Sequence, residues 1–182
     1  MKILVVAHPD DEVIWFNPLE FDKIVIVFMN RKDKPEMLQK RAAVILNHPL
    51  GHKIACLGLE ETGIKFVPDY LLEDGSLTTI KTIKNELKMA IKDATEIYTH
   101  NKKGEYGHYE HILVHHAVKD LVEDTDIKMY CPTNKLERPT LTIKNNVEFS
   151  EGIVALYKRE GAWTWHKDFV PDSKLYFNKI TN

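Results

Sequence analysis

Short apolar runs alternate with longer segments in which apolar residues recur at helical spacing. In one longer segment, Ile80, Ile83 and Leu87 lie three or four positions apart and mark one face of a helix. The short runs are rich in β-branched residues and are of strand length. The pattern predicts strands at residues 3–7, 24–29, 53–57, 96–99 and 128–131, and helices at 36–47, 78–94 and 108–123.

The order of these elements predicts the fold class. Helices separate most of the strands, and the strands are continuously apolar, which favours a mainly parallel sheet covered on both faces. We therefore expect an α/β protein, a Rossmann-like three-layer sandwich that forms a single domain over residues 1–182. Beyond Pro132 the pattern weakens, and residues 133–182 are expected to be a less regular C-terminal appendage on the same domain.

Composition and charge restrict the protein classes. The chain has 182 residues, 43% of them hydrophobic. Its formal net charge of −2 does not favour binding to nucleic acid. Its two cysteines predict neither a disulfide framework nor a cysteine metal site. Apolar runs are too short to span a membrane, and the N-terminus lacks a signal-peptide pattern. We expect a cytoplasmic protein with a small-molecule or glycoconjugate substrate; the oligomeric state stays open.

A dense group of polar residues directly follows the first predicted strand. Residues 8–12 read His-Pro-Asp-Asp-Glu, which combines a metal-ligand type with acid and base side chains. Open α/β sheets bind their ligands at the carboxyl ends of strands. The competing interpretation is a polar turn that caps a helix, since aspartates are common in a first turn.

A second polar group follows the fourth predicted strand and includes His100, Tyr106, His108 and His111. On a helix that begins near His108, residues 108, 111 and 115 project from one side, because helical neighbours are three and four apart. Both groups should meet at one edge of the sheet. His100 and His115 are expected to be structural or supporting residues.

Two imidazoles and one carboxylate form the ligand set of many catalytic zinc sites, and Asp11 with two histidines could supply it. The same set suits ferrous iron, so the ligands alone do not decide between Zn²⁺ and Fe²⁺. Asp10 cannot easily ligate together with Asp11 in a tight turn, yet it would reach the attacking water. This spare carboxylate favours hydrolysis, with Asp10 as general base.

The two motifs resemble those of the zinc-dependent de-N-acetylases of the LmbE/PIG-L type, which remove acetyl groups from N-acetylglucosamine-bearing and related substrates. Residues 7–12 (Ala-His-Pro-Asp-Asp-Glu) are similar to the opening motif of that family, and residues 104–111 (Gly-Glu-Tyr-Gly-His-Tyr-Glu-His) to its second motif. The resemblance implies zinc ligands His8, Asp11 and His111, general base Asp10, a charged His108 and the Tyr106 hydroxyl at the oxyanion, and Arg41 in substrate binding.

Departures from the family pattern concern substrate recognition. The glycine-rich stretch that usually follows the first motif is replaced by residues 13–18 (Val-Ile-Trp-Phe-Asn-Pro), and Arg41 is followed by Val44 where the family often has Glu. The C-terminal quarter is not covered by the resemblance. Trp163 and Trp165 could stack on a sugar ring, although packing is the more common role of such residues.

The expected function is removal of an acetyl group from an N-acetylated amino sugar by zinc-activated water. Two alternatives stay open: a catalytically inactive sugar- or nucleotide-binding module, and a ferrous-iron enzyme that uses two histidines and one carboxylate. No glycine-rich phosphate loop is present in the sequence, which counts against a nucleotide module. The short cationic run of Arg31, Lys32 and Lys34 could bind a phosphate, but such runs are usually solvated loops.

Overall fold

The sheet has the strand order expected of a Rossmann-like fold. A computed structural model describes residues 1–64, 66–67, 72 and 75–180. Within these residues seven strands form one sheet in the order β3-β2-β1-β4-β5-β7-β6, and β1 to β5 are parallel. The strands are β1 (Lys2–Val6), β2 (Lys23–Asn30), β3 (Ile54–Glu60), β4 (Glu96–Thr99), β5 (Lys128–Thr133), β6 (Leu141–Lys144) and β7 (Lys174–Ile180).

Helices cover both faces of the sheet. They are α1 (Asp11–Ile14), α2 (Met37–Asn47), α3 (Ser76–Ala90), the short and distorted α4 (Gly104–Gly107), α5 (Tyr109–Val122) and α6 (Val147–Arg159). Alternate residues of β1 face opposite layers: Ile3 and Val5 pack in the core with α3 and α5, whereas Leu4 and Val6 pack in a second core with Phe16. The α/β sandwich predicted from the sequence is confirmed. In the described part of the chain, no helix is both long and apolar enough to cross a bilayer.

The strand order creates a crevice at the carboxyl end of β1. The chain leaves β1 for β2 on one side, while β4 lies on the other side, so the connections diverge at this point. Such divergence is where open α/β sheets bind ligands. Val5 pairs in register with Thr99, and the residues after β1 and β4 are therefore neighbours.

The C-terminal part of the chain is more regular than its sequence predicts. Strand β7 pairs antiparallel with β5, and β6 pairs antiparallel with β7 at the sheet edge. Helix α6 places Ile153 and Tyr157 in a third core with Val13 and Val44. Only alternate residues of the edge strand β6 are partly buried, which explains why its sequence lacks a continuous apolar run.

Candidate metal centre

The loop after β1, residues 7–12 and here called the first loop, holds its side chains in a tight turn. Asp10 has a φ of 89°, and its carbonyl oxygen accepts the N–H groups of Val13 and Ile14 at the start of α1. Asp11 turns back toward the strand end, where its Oδ2 accepts the backbone N–H of His8 at 2.8 Å and lies 3.3 Å from the imidazole Nδ1 of His8.

The loop after β4, residues 100–111 and here called the second loop, brings its histidines against the first loop. His108 precedes α5, and His111 lies in the first turn of that helix. The ring of His8 is 4.8 Å from that of His108 and 5.4 Å from that of His111, measured between centroids. Nε2 of His111 is 3.3 Å from Oδ1 of Asp11. The two sequence motifs thus form one cluster.

The cluster offers donors for a divalent metal in two overlapping groups. Among the described residues, one ligand atom each of His8, His108 and His111 lies within 4.8 Å of the others, and so does one each of Asp11, His100 and His111. Nε2 of His8 is buried and has no hydrogen-bond partner in the described structure. A buried imidazole nitrogen without a partner is costly unless a ligand binds it. The donor set therefore fits a metal such as zinc.

His100 lies in the cluster, but its metal-facing nitrogen is already used. Nε2 of His100 accepts the backbone N–H of Ala7 at 2.9 Å, while its Nδ1 is 3.0 Å from Oε2 of Glu105. A ligand role would break the hydrogen bond to Ala7. His100 is thereby linked to the first loop through Ala7 and to the second loop through Glu105.

The charges in the cluster favour an ionised Asp11. Burial alone would raise the pKa of Asp11, but the imidazoles of His111 and His100 outweigh it and hold the pKa well below its usual range. Burial opposes protonation of His111, yet the Asp11 and Glu105 carboxylates raise its pKa to about 10. A cation bound to this imidazole would have to displace a proton from it.

The surroundings of His108 act on its charge. Burial, together with the nearby His111 and His8, lowers the pKa of His108, which opposes the charged state that the resemblance implies. Its Nδ1 lies 3.2 Å from the Glu110 carboxylate, which also accepts the Oγ1 hydroxyl of Thr62 at 2.6 Å. With its one proton on Nδ1 toward Glu110, a neutral ring has none on Nε2 to donate to a substrate, whereas a charged ring donates from both nitrogens.

Asp10 is held by the C-terminal part of the chain. Its Oδ2 accepts the Oγ1 hydroxyl of Thr164 at 2.6 Å and the backbone N–H of Thr164 at 3.1 Å. Burial and the neighbouring Asp11 raise the pKa of Asp10 well above its ordinary value, although the Thr164 hydrogen bonds oppose this. A buried carboxylate with a raised pKa is suited to accept a proton.

Glu12 holds the backbone of Asp10 by a hydrogen bond. Its Oε2 accepts the backbone N–H of Asp10 at 2.9 Å, and its Oε1 accepts the Tyr157 hydroxyl at 2.8 Å. Burial raises the pKa of Glu12 to about 7, against the effect of the Tyr157 hydrogen bond. Burial also lowers the pKa of the neighbouring His48 to about 4, so this pair does not form a full ion pair near neutral pH.

The cluster lies in a cavity of about 750 Å³, large enough for a drug-sized ligand. One side of the cavity is aromatic: the Tyr106 ring lies 5.0 Å from that of Trp165 and 5.7 Å from that of Phe66. Phe66 is 60% exposed and Tyr106 is 38% exposed. Burial, followed by the nearby Asp11 and Asp10, raises the pKa of Tyr106, which keeps its hydroxyl protonated.

Cationic residues also line the cavity, but their charges are largely paired. Arg31, whose side chain is 13% exposed, contacts Asp33 at 2.7 Å, and the exposed Lys32 contacts Glu60 at 3.0 Å. Arg41 is only 2% exposed; its guanidinium lies 2.8 Å from Glu61 and donates to the carbonyl oxygen of Met29. The predicted substrate-binding residue is therefore part of the cavity wall, with its charge already paired.

Sequence reasoning gave no role to several residues that hold this site together: Glu12, Glu61, Glu105, Tyr157 and Thr164. Glu12 and Glu105 are inside the two motifs, so their positions carried a signal. Thr164 is 154 residues away from Asp10 in the chain, and nothing in its local sequence indicates the contact.

Comparisons with known proteins support the fold. Neither a family model nor a curated protein sequence matches this chain. Among the solved structures that are similar to it, two are described as deacetylases. The first, described as a deacetylase–bog complex in the biosynthesis pathway of teicoplanin, has a TM-score of 0.62 and 12% identity over 89% of this chain and 84% of its own. The second, a deacetylase–teicoplanin complex in the same pathway, has a TM-score of 0.64 and 10% identity over 100% of both chains.

Proposed function

We propose that this protein is a metal-dependent hydrolase that removes an acetyl group from an N-acetylated amino sugar of the N-acetylglucosamine type. The observation that carries the proposal is the cluster itself: donor atoms of His8, His108 and His111, and of Asp11, His100 and His111, lie within 4.8 Å of one another, and the buried carboxylate of Asp10 lies in the same cavity. The solved structures with the same fold are described as deacetylases, which agrees with this chemistry.

His8, Asp11 and His111 would hold the metal. His8 contributes a nitrogen without a partner in the described structure, Asp11 contributes an ionised carboxylate, and Nε2 of His111 faces Asp11. A bound zinc ion would supply Lewis-acid polarisation of the acyl carbonyl and acidify a water molecule. The ligands agree equally well with ferrous iron, so Zn²⁺ is the proposal and Fe²⁺ is the alternative.

Asp10 would carry the proton through the reaction. It accepts a proton from the attacking water as the oxygen bonds to the acetyl carbon, and it returns that proton to the amine nitrogen as the C–N bond breaks. The products are the free amine and acetic acid, which keeps the second proton of the water until it ionises to acetate. The raised pKa of Asp10 suits both steps, because the group must take up and release a proton near neutral pH.

His108 and Tyr106 would face the carbonyl oxygen. The rings of Tyr106 and His108 are 5.8 Å apart, and both residues line the cavity beside His111. Each can donate one hydrogen bond to the oxygen as negative charge develops on it. With Nδ1 facing the Glu110 carboxylate, His108 donates from Nε2 when the ring carries both protons, which is the charged state that the resemblance implies.

A screen of N-acetylated glycans with mass-spectrometric detection of acetyl loss tests the proposal. We expect loss of one acetyl group per amino sugar with the zinc-loaded protein and none with Asp10→Asn, which serves as the blank. Absence of acetyl loss from every glycan would favour a binding module. Metal analysis of protein purified with and without air separates zinc from ferrous iron, and an oxygen-dependent change of substrate would identify the iron alternative.

A further inference from the structure

One buried carboxylate, that of Glu105, contacts two histidines of the cluster. Its Oε2 lies 3.0 Å from Nδ1 of His100 and 2.6 Å from Nδ1 of His111, and its Oε1 accepts the backbone N–H of Asn101 at 2.9 Å. An ionised carboxylate can only accept hydrogen bonds, so both imidazoles must donate to it from Nδ1.

The backbone of Glu105 is strained. Its φ of 60° and ψ of −57° are those of a rare, tight turn that non-glycine residues seldom adopt. The side-chain oxygen of Asn101 accepts the N–H of Glu105 at 3.2 Å and helps to hold this conformation. The strained turn aims the carboxylate between the two rings.

The neighbouring contacts define the state of each imidazole. Nε2 of His100 accepts the N–H of Ala7, so His100 is protonated on Nδ1 toward Glu105. Nε2 of His111 faces Asp11 and would be available to a metal when Nδ1 holds the only proton of the ring. Glu105, which is part of the second loop, is thereby linked to the first loop through His100.

We propose that Glu105 is a positioning residue that holds His111 and His100 with the proton on Nδ1, so that His111 presents Nε2 to the metal. This inference rests on the proposed function, because it assumes that His111 is a metal ligand. Carboxylates that accept the second N–H of a ligand histidine fix the orientation of its ring and strengthen metal binding.

Replacement by glutamine separates this role from simple packing, because the amide has nearly the same shape. If the amide oxygen of Glu105→Gln faces the two histidines, its NH₂ group faces the backbone N–H of Asn101, and two hydrogen-bond donors meet. If the NH₂ group faces the histidines instead, both rings must move their proton to Nε2. On His111, that proton would occupy the nitrogen that is proposed to bind the metal. On His100, it would face the backbone N–H of Ala7, so that two hydrogen-bond donors would meet.

The zinc affinity of Glu105→Gln, measured by competition with a chromophoric chelator, tests the inference. We expect it to fall about 10- to 100-fold relative to the wild type. Glu110→Gln is the matched control: it removes a buried carboxylate of the same segment that faces His108, which is not a proposed ligand. Its zinc affinity should equal that of the wild type. Equal losses in both variants would overturn the inference.

Nitrogen-15 NMR of the imidazoles in the wild-type protein gives a second test that does not require a variant to fold. His100 should have its proton on Nδ1 with and without zinc, and zinc-loaded His111 should also have it there, with both protons shifted downfield. A proton on Nε2 of His100 would contradict the inference. Failure of the wild type to bind zinc would instead reject the proposed function, and with it the metal role of Glu105.

Discussion

The two loops that form the site are held in place differently. Around Glu105, the second loop is held by its own residues: Asn101 and Glu105 hydrogen-bond to each other, and Glu105 contacts His100 and His111. Around Asp10, the first loop is held by distant residues, because Thr164 binds the Asp10 carboxylate and Tyr157 binds Glu12. The proposed ligand His111 is therefore oriented locally, whereas the proposed base is oriented by the C-terminal part of the chain.

This difference predicts that proton transfer and metal binding can be disrupted separately. Substitutions in the C-terminal contacts should alter the orientation of Asp10 and leave the proposed metal ligands in place. Substitutions in the second loop should alter the proposed metal ligands before they affect Asp10. The variants below test this separation, from the largest expected effect to the smallest.

The adjacent carboxylates Asp10 and Asp11 give the largest contrast. Asp10→Asn removes the proton acceptor, so we expect kcat for acetyl release to fall about 10²- to 10⁴-fold. The zinc content should stay at that of the wild type. Asp11→Asn should lose the zinc itself, because the amide is a poor substitute for an anionic ligand. Equal zinc loss in both variants, measured by elemental analysis, would contradict the separation of base and ligand.

Thr164→Val tests whether the C-terminal contact orients the base. The substitution removes the hydroxyl donor to Asp10 but keeps the size of the side chain. A hydrogen bond to a charged group contributes about 1.5–3 kcal/mol, so kcat should fall by roughly a factor of ten or more. Thr164→Ser, which keeps the hydroxyl, should retain most of the activity. A loss of zinc affinity in Thr164→Val would show that the two functions are not separate.

Tyr157→Phe tests the support beneath the first loop. The variant leaves one buried oxygen of Glu12 without its donor, which should lower the free energy of unfolding by about 1–3 kcal/mol. Chemical denaturation followed by circular dichroism measures this change. An unchanged midpoint would mean that the contact between Tyr157 and Glu12 contributes no net stability.

Much of the fold and of the cluster follows from local sequence. The five parallel strands lie close to their predicted positions because each is a continuous apolar run between polar turns. The polar groups at the ends of β1 and β4 meet because parallel strands share a carboxyl edge. The antiparallel strands β6 and β7 were less evident, since burial alternates along both strands and neither is a continuous apolar run.

The supporting contacts could not be predicted in the same way. The contact between Thr164 and Asp10 depends on the path of the chain after α6, which no local pattern specifies. The role of Glu105 depends on a φ of 60° that its residue type does not favour. Arg41 stays a predicted substrate-binding residue on the strength of the family resemblance, and its pairing with Glu61 could not be predicted from the sequence.

The smallest effect near neutral pH is expected from a substitution of His115, whose side chain contacts the second loop at His100. Burial lowers its pKa to about 4, and its Nδ1 lies 2.8 Å from the carbonyl oxygen of His100. The unfolded chain, with an ordinary pKa of about 6.5, binds this proton more readily, so stability should decrease as the pH falls from about 6.5 to 4. His115→Gln should reduce that slope by at most about 1.4 kcal/mol per pH unit. Denaturation at several pH values checks the slope, and an identical slope in the variant would contradict this assignment.

The most direct test of the central claim is the anomalous scattering of zinc-loaded crystals. The account predicts one ion bonded to His8, Asp11 and His111 at about 2.0–2.2 Å, with Asp10 outside the ligand set. An ion bound through His100 in place of His8, or no ion at these residues, would contradict it.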